Sequence, residues 1–141
     1  MDVINSRDYV DKAENVIKEL MESEKADAAR EAAQRGGKKK TTKILTTTQL
    51  RKQLSMTAEM FAMAERETAD ILSRELQDSI EYLRVQFVYQ AGRDIPVKNF
   101  IDKAKILQIL QSINGNKNDF ITFCRYLEAL VAYKKYYINE D

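Results

Sequence analysis

Apolar residues recur along most of this chain at intervals of three and four positions, the period of an α-helix packed on one side. The clearest case is a stretch near the middle of the chain. Its predicted buried face carries Ile80, Leu83, Phe87, Val88 and Ala91. Its predicted outward face carries Tyr82, Gln86, Tyr89 and Arg93. Because Gly92 suits the positive φ of a helix C-terminus and Pro96 disfavours continuation, we predict a helix from near residue 68 to residue 91.

The same period predicts four more helices, over residues 6–34, from a threonine N-cap at 46–48, over 97–113 and from about residue 117. The predicted core face of the second helix carries Leu50, Leu54, Ala58, Phe61 and Ala62. The predicted core face of the last helix carries Phe120, Phe123, Cys124, Leu127, Leu130 and Val131. That helix ends in a Tyr-Lys-Lys-Tyr-Tyr run (133–137), whose lysines favour the helix C-terminus and suit a partner.

We therefore predict an all-α protein that folds as a single compact bundle of about five helices. With four glycines and one proline in 141 residues, the chain has few of the turn residues that a β-rich fold requires. One helical domain is expected to span residues 1–141. Its parts are the first helix (6–34), a basic flexible connector (35–45) and a helical core (46–137).

Charge is strongly segregated along the chain, although the net charge is only +1. Residues 1–34 hold 5 basic and 9 acidic side chains, a net of −4, whereas residues 35–56 hold 7 basic and no acidic ones, +7. Residues 57–81 hold 2 basic and 7 acidic side chains, a net of −5, and residues 82–141 hold 9 basic and 6 acidic ones, a net of +3. A local basic strip favours phosphate partners, and the alternating signs also suit stacking of copies. Solvated helix faces with one basic loop explain the same pattern without a partner.

The residue types on which most catalytic sites depend are missing. The chain has no histidine, which removes the commonest general base and metal ligand, and its one cysteine, Cys124, falls on an apolar helix face. We expect no enzyme activity, no metal site and no cofactor. No apolar run approaches the roughly 20 residues that span a bilayer, and the N-terminus has no export signal, so we expect a cytoplasmic protein without membrane contact.

Basic and aromatic side chains concentrate at two positions. Arg51 and Lys52 lie in the first turns of the second helix, where free backbone N–H groups already favour an anion. Arg93 and Lys98 flank the turn after the third helix. Tyr89, one turn before Arg93, offers a ring that can stack on a nucleobase. This combination makes nucleic-acid binding the leading physical hypothesis.

Arg84 is predicted to project from the apolar side of the third helix. A partly buried guanidinium requires an anionic or carbonyl partner. Two partners remain open from the sequence: Glu81, three residues earlier on the same helix, or an external phosphate.

Four blocks of the sequence together resemble a known family. They are residues 45–52 (LTTTQLRK), 81–93 (EYLRVQFVYQAGR), 97–104 (VKNFIDKA) and 123–133 (FCRYLEALVAY). In this order and spacing they resemble the small subunit of the type III-A (Csm) CRISPR effector complex. The resemblance covers about residues 45–137, and the segment before residue 46 matches only as a helix followed by a variable connector.

The resemblance implies a helical, non-catalytic RNA-binding subunit in an antiviral ribonucleoprotein. Several copies would stack beside the backbone and large subunits and line the groove where target RNA pairs with guide RNA. The residues implied in RNA binding are Arg51, Lys52, Arg84, Tyr89, Arg93 and Lys98. The alternative is a purely structural spacer whose basic residues bind acidic faces of neighbouring subunits without touching RNA.

Overall fold

The computed structural model describes residues 3–35 and 45–138, which form a compact all-α bundle. Six helices make up this part of the chain: α1 (Tyr9–Arg35), α2 (Thr47–Arg66), α3 (Arg74–Arg93), α4 (Ile95–Ala104), α5 (Ile106–Ser112) and α6 (Lys117–Ile138). The all-α prediction is confirmed, with six helices where about five were expected. The predicted flexible connector falls almost entirely outside the described residues, so it stays a prediction.

The extra helix arises because the predicted fourth helix is divided at Lys105. This residue has φ 59° and ψ 38°, in the left-handed region, and its N–H donates back to Asp102. The hydroxyl of the buried Tyr126 donates to the carbonyl of Ala104 at 3.0 Å and so anchors the end of α4 to α6. The bend lets the buried faces of both α4 and α5 meet the core. Since a lysine is an uncommon left-handed residue, the sequence did not mark this break.

Helix α6 forms the centre of the bundle and packs against α1 and α2, while α3 packs against α4 and α5. Three buried phenylalanines join these layers. The rings of Phe87 and Phe123 meet edge to face with centroids 6.4 Å apart, and Phe120 stacks on Phe123 at 6.3 Å. The core of the bundle therefore lies along α6, and α2 and α3 each keep an exposed outer face.

The segment between α2 and α3 is held by the turn before α6. Leu72 donates its N–H to Gly115 at 2.8 Å, and Lys117 donates its N–H to Asp70 at 2.9 Å. Gly115 has φ 79°, and a Cβ on it would lie 2.7 Å from the side chain of Gln77. The positive φ therefore favours glycine there, whereas the flexible end of the Gln77 side chain could move to admit a Cβ. Because these bonds hold the segment extended, α3 begins at residue 74, six residues after the predicted start.

Several predicted core positions are wrong. Val88 is 52% exposed, and Ala58 and Ala62 are exposed on α2. The buried face of α3 is narrower than predicted and consists of Leu76, Ile80, Leu83 and Phe87. Helix α3 also continues through Gly92, which does not adopt positive φ. Asp94 replaces a glycine cap, since its extended backbone ends α3 and its side chain starts α4.

Candidate nucleic-acid interface

The start of α2 is fixed by a capping box. The hydroxyl of Thr46 accepts the N–H of Gln49 at 3.2 Å, and the side chain of Gln49 accepts the N–H of Thr46 at 3.0 Å. The predicted threonine N-cap is thereby confirmed. Arg51 and Lys52 follow within the next turn, and both are exposed. No described residue forms an ion pair with either of them, so both cations remain available to a partner.

The junction between α3 and α4 is tied to this helix start. Asp94 caps α4, because its Oδ1 accepts the N–H of Val97 at 3.3 Å. Its Oδ2 accepts a hydrogen bond from Nε2 of Gln49 at 2.7 Å. One carboxylate therefore orients α4 and also holds the N-terminus of α2 against the end of α3.

This contact creates a small polar cleft of about 170 Å³, lined by Gln49, Lys52, Gln53, Gln90, Arg93, Asp94 and Val97. We call it the α2–α3 cleft. It brings together Lys52 and Arg93, which belong to the two separate basic segments noted in the sequence. Arg51 adjoins Lys52 in the chain, and Lys98 follows Val97 in the first turn of α4. Of the six predicted RNA-binding residues, Lys52 and Arg93 thus line the cleft, and Arg51 and Lys98 are neighbours in the chain of lining residues.

Arg93, which lines the α2–α3 cleft, also contacts the ring of Tyr89. The guanidinium of Arg93 lies 5.5 Å from the centroid of the Tyr89 ring, in a cation–π contact. Tyr89 is 60% exposed, which confirms the predicted outward orientation. A guanidinium held over a ring in this way can still direct N–H groups to a phosphate.

Lys98 and Arg84 are both paired with carboxylates on their own helices. Nζ of the exposed Lys98 lies 3.1 Å from Asp102, and Nη1 of the half-buried Arg84 lies 3.3 Å from Glu81. Of the two partners left open for Arg84, Glu81 is the one observed. Arg84 precedes Arg93 by nine residues, and at about 100° per residue the two side chains leave opposite sides of α3. The fold therefore does not bring Arg84 to the α2–α3 cleft.

Sequence reasoning missed the amide side chains of the cleft. Gln49, Gln53 and Gln90 line it together with the carboxylate of Asp94. Gln53 is 1% exposed, and its Oε1 accepts no hydrogen bond from the described residues. Only Gln49 had a local signal, since it follows Thr46 by the three residues of a capping box. The other two are brought to the cleft by helix packing.

Other kinds of site find little support in the described part of the chain. No group of three His, Cys, Asp or Glu side chains lies close enough there to hold a metal ion. Cys124 is buried, and burial raises the pKa of its thiol, so it packs as a small core residue rather than a reactive thiolate. None of the described helices combines the length and apolar character that crossing a membrane requires.

Comparison with known proteins identifies the family. The family model described as Csm2 Type III-A matches residues 22–140. The chain belongs to the Csm2 family of type III-A CRISPR systems. The CRISPR system Cms protein Csm2 of Streptococcus thermophilus is 40% identical to it over 141 residues, which cover the whole of both chains. The protein of the same name from Mycobacterium tuberculosis is 48% identical over 104 residues, 74% of this chain and 84% of that protein.

Membership in the Csm2 family confirms the resemblance carried by the four sequence blocks. It identifies the chain as a structural subunit of a type III-A CRISPR effector, which has other subunits as its partners. The matched region begins within α1 and includes all of the α2–α3 cleft.

Proposed function

We propose that this Csm2-family protein is a non-catalytic subunit that binds the RNA backbone at the α2–α3 cleft of a type III-A effector. Stacked copies, beside the backbone and large subunits, would line the groove where target RNA pairs with guide RNA. One observation carries the proposal. Lys52 and Arg93, from segments far apart in the chain, line one exposed cleft, and no described carboxylate pairs with either of them.

The chemistry of the cleft suits a phosphodiester better than a base. Lysine and arginine supply charge, whereas the Gln49 amide is engaged by Thr46 and Asp94 and Gln53 is buried, so neither amide is placed to read a base. Contacts to phosphates position a protein on nucleic acid without reading its sequence. That property is needed in a subunit which must accept any target that the guide selects.

The test is fluorescence anisotropy of a labelled single-stranded RNA titrated with the full chain at low and near-physiological salt. We expect binding that is independent of sequence and weakens with salt, because each neutralised phosphate releases counterions. The double variant Arg51→Glu, Lys52→Glu should lose at least about tenfold in affinity, since two attractive charges become repulsive.

The matched control is the double variant Arg7→Glu, Lys25→Glu. It makes the same change in net charge at exposed positions before and within α1, which packs on α6 and α4. If this control loses as much affinity as the cleft variant, binding depends on overall charge and the proposed cleft is wrong. Full binding by the cleft variant would refute the proposal equally.

The spacer alternative is separated by an assembly assay. Arg51→Glu would be combined with the remaining effector subunits and guide RNA, and incorporation measured by co-purification. If the cleft binds RNA, the variant should be incorporated normally into the complex, and the complex should bind target RNA more weakly. A variant that fails to incorporate would instead assign Arg51 to a contact with an acidic neighbouring subunit.

A further inference from the structure

A second groove between α2 and α3 differs from the α2–α3 cleft in size and in charge. Its volume is about 600 Å³, whereas that of the cleft is about 170 Å³, and the two share no lining residue. We call it the methionine groove, because it is lined by three methionines together with three carboxylates: Met56, Met60, Met63, Glu59, Glu75 and Asp78. Helices α2 and α3 thus carry one basic and one acidic depression, which suit different partners.

The methionines give the groove an apolar surface. They are three of the five methionines in the chain, and their spacing of four and three residues places them within an arc of about 60° on α2. All three are half-buried and pack partly against the core. Because methionine is flexible and polarisable, surfaces built from it adapt to apolar side chains of varied shape. This surface is suited to the apolar face of a partner.

The carboxylates of the methionine groove are unmatched within the protein. The side chains of Glu59, Glu75 and Asp78 are exposed, and none forms an ion pair or hydrogen bond with a described residue. No described lysine or arginine lines the groove. Three negative charges around an apolar surface attract cationic groups and repel a phosphate backbone. The groove is therefore unsuited to RNA.

We infer that the methionine groove binds a basic amphipathic helix of a partner protein. The apolar face of that helix lies on the methionines and on the exposed ring of Tyr82, which also lines the groove. Its lysines or arginines pair with the three carboxylates. The groove follows α3 from Glu75 to Gln86, a rise of about 16 Å. This length matches about three turns of a docked helix.

Fluorescence anisotropy of a labelled peptide titrated with the full chain tests the inference. The probe is a peptide of about 18 residues, five turns of helix, made of leucine and lysine with the leucines at intervals of three and four. We expect this peptide to bind and the same peptide with glutamate in place of lysine not to bind, because only the first complements the charge of the groove. Equal binding of both peptides, or binding of neither, overturns the inference.

The double variant Glu59→Lys, Asp78→Lys locates the site. It should lower the affinity for the lysine peptide at least about tenfold, since two attractive charges become repulsive. The matched control is Glu19→Lys, Glu22→Lys, which makes the same change in net charge at exposed positions on α1. If the control loses as much affinity, the peptide responds to overall charge and the groove is not its site.

An uncharged substitution tests the apolar contact. Met60→Gln should weaken peptide binding at least about threefold, because it replaces a thioether by an amide at the apolar surface without changing the charge. Met21→Gln, at a half-buried position on α1, is the matched control and should bind as the wild type does. Unchanged affinity in Met60→Gln would mean that the carboxylates alone attract the peptide, and the docked helix would be wrong.

Two other occupants would give different results. If the wild type binds no peptide and Glu59→Lys, Asp78→Lys changes the sedimentation mass of the free protein, the groove holds a second copy. If Met60→Gln weakens binding of RNA rather than of peptide, the groove holds RNA. Either result overturns the inference. The peptide titration contains no RNA and the two sites share no lining residue, so this inference and the proposed function can fail separately.

Discussion

Two regions of this bundle use basic side chains in opposite ways. Where α1 meets α6, Lys134 is fully buried and its Nζ lies 3.1 Å from Oε1 of Glu24. The other oxygen of Glu24 accepts the N–H of Leu45 at 2.9 Å, so one carboxylate joins α1, α6 and the start of the helical core. At the α2–α3 cleft, Arg51 and Lys52 are exposed and have no partner among the described residues.

The difference shows that basic runs in the sequence can contain both a lysine that the fold pairs internally and lysines whose charge stays exposed. Lys134 belongs to the C-terminal basic run that the sequence offered to a partner, yet the fold uses it internally, and that expectation was wrong for this lysine. A buried ion pair is costly to break, whereas an exposed cation costs little to remove. The two regions should therefore respond to mutation in different assays.

The largest expected effect is loss of the buried pair. Lys134→Met should lower the free energy of unfolding by about 3–5 kcal/mol, because Glu24 keeps a largely desolvated charge without its partner. Urea denaturation measures the loss. Lys52→Met is the matched control and should change stability by less than about 0.5 kcal/mol. Adding Glu24→Gln to Lys134→Met should recover much of the loss, since the amide oxygen still accepts the Leu45 N–H. Equal stability of the two single variants would remove the contrast.

A smaller effect is expected at the carboxylate that organises the cleft. Asp94→Ala should cost about 1–2 kcal/mol in unfolding free energy, because α4 loses its N-cap and Gln49 loses its acceptor. Asp102→Ala, which removes only the exposed partner of Lys98, should cost less than about 0.5 kcal/mol. If both alanine variants are equally stable, Asp94 does not hold the two helices together.

A change of charge at Asp94 tests whether the exposed cations of the cleft bind RNA. Asp94→Asn retains a side-chain acceptor but removes the negative charge that lines the cleft beside Lys52 and Arg93. We expect RNA affinity at low salt to rise about twofold to fivefold, with the gain shrinking as salt is added. Anisotropy titrations at two salt concentrations measure it. Weaker binding by this variant would place the RNA elsewhere.

The smallest expected effect is the contribution of Asp8, the residue just before α1, to the stability of the protein at low pH. Burial tends to raise the pKa of Asp8, but hydrogen bonds from Asn5 and Lys12 outweigh it and lower the pKa below its usual 3.8. Because the folded pKa is depressed, Asp8 adds stability above that value, and the gain is lost as the pH falls through the folded pKa. The free energy of unfolding, measured between pH 2 and pH 6, should therefore decrease less steeply below about pH 4 in Asp8→Asn than in the wild type. An unchanged slope would mean that Asp8 contributes nothing.

Parts of the fold were predictable because the spacing of apolar residues along a long helix indicates which of its faces is buried. In α6, the predicted Phe120, Phe123, Leu127 and Leu130 are all buried. The break at Lys105 was not predictable, since the apolar period of α4 and α5 reads as continuous. The candidate site divides in the same way. The capping box and the exposure of Arg51 and Lys52 follow from local sequence, whereas the meeting of Lys52 with Arg93 depends on how α2 packs against α3.

By itself the sequence determined an all-helical protein, the positions of most helices and the family to which the chain belongs. These properties depend on the spacing of apolar residues and on short motifs, which act over a few turns of helix. The tertiary structure alone decided which charges are used internally and which remain exposed. Lys134 and Glu24 are 110 residues apart in the chain, and no local pattern relates them. Charge pairing depends on distance in space, which only the packing of the helices fixes.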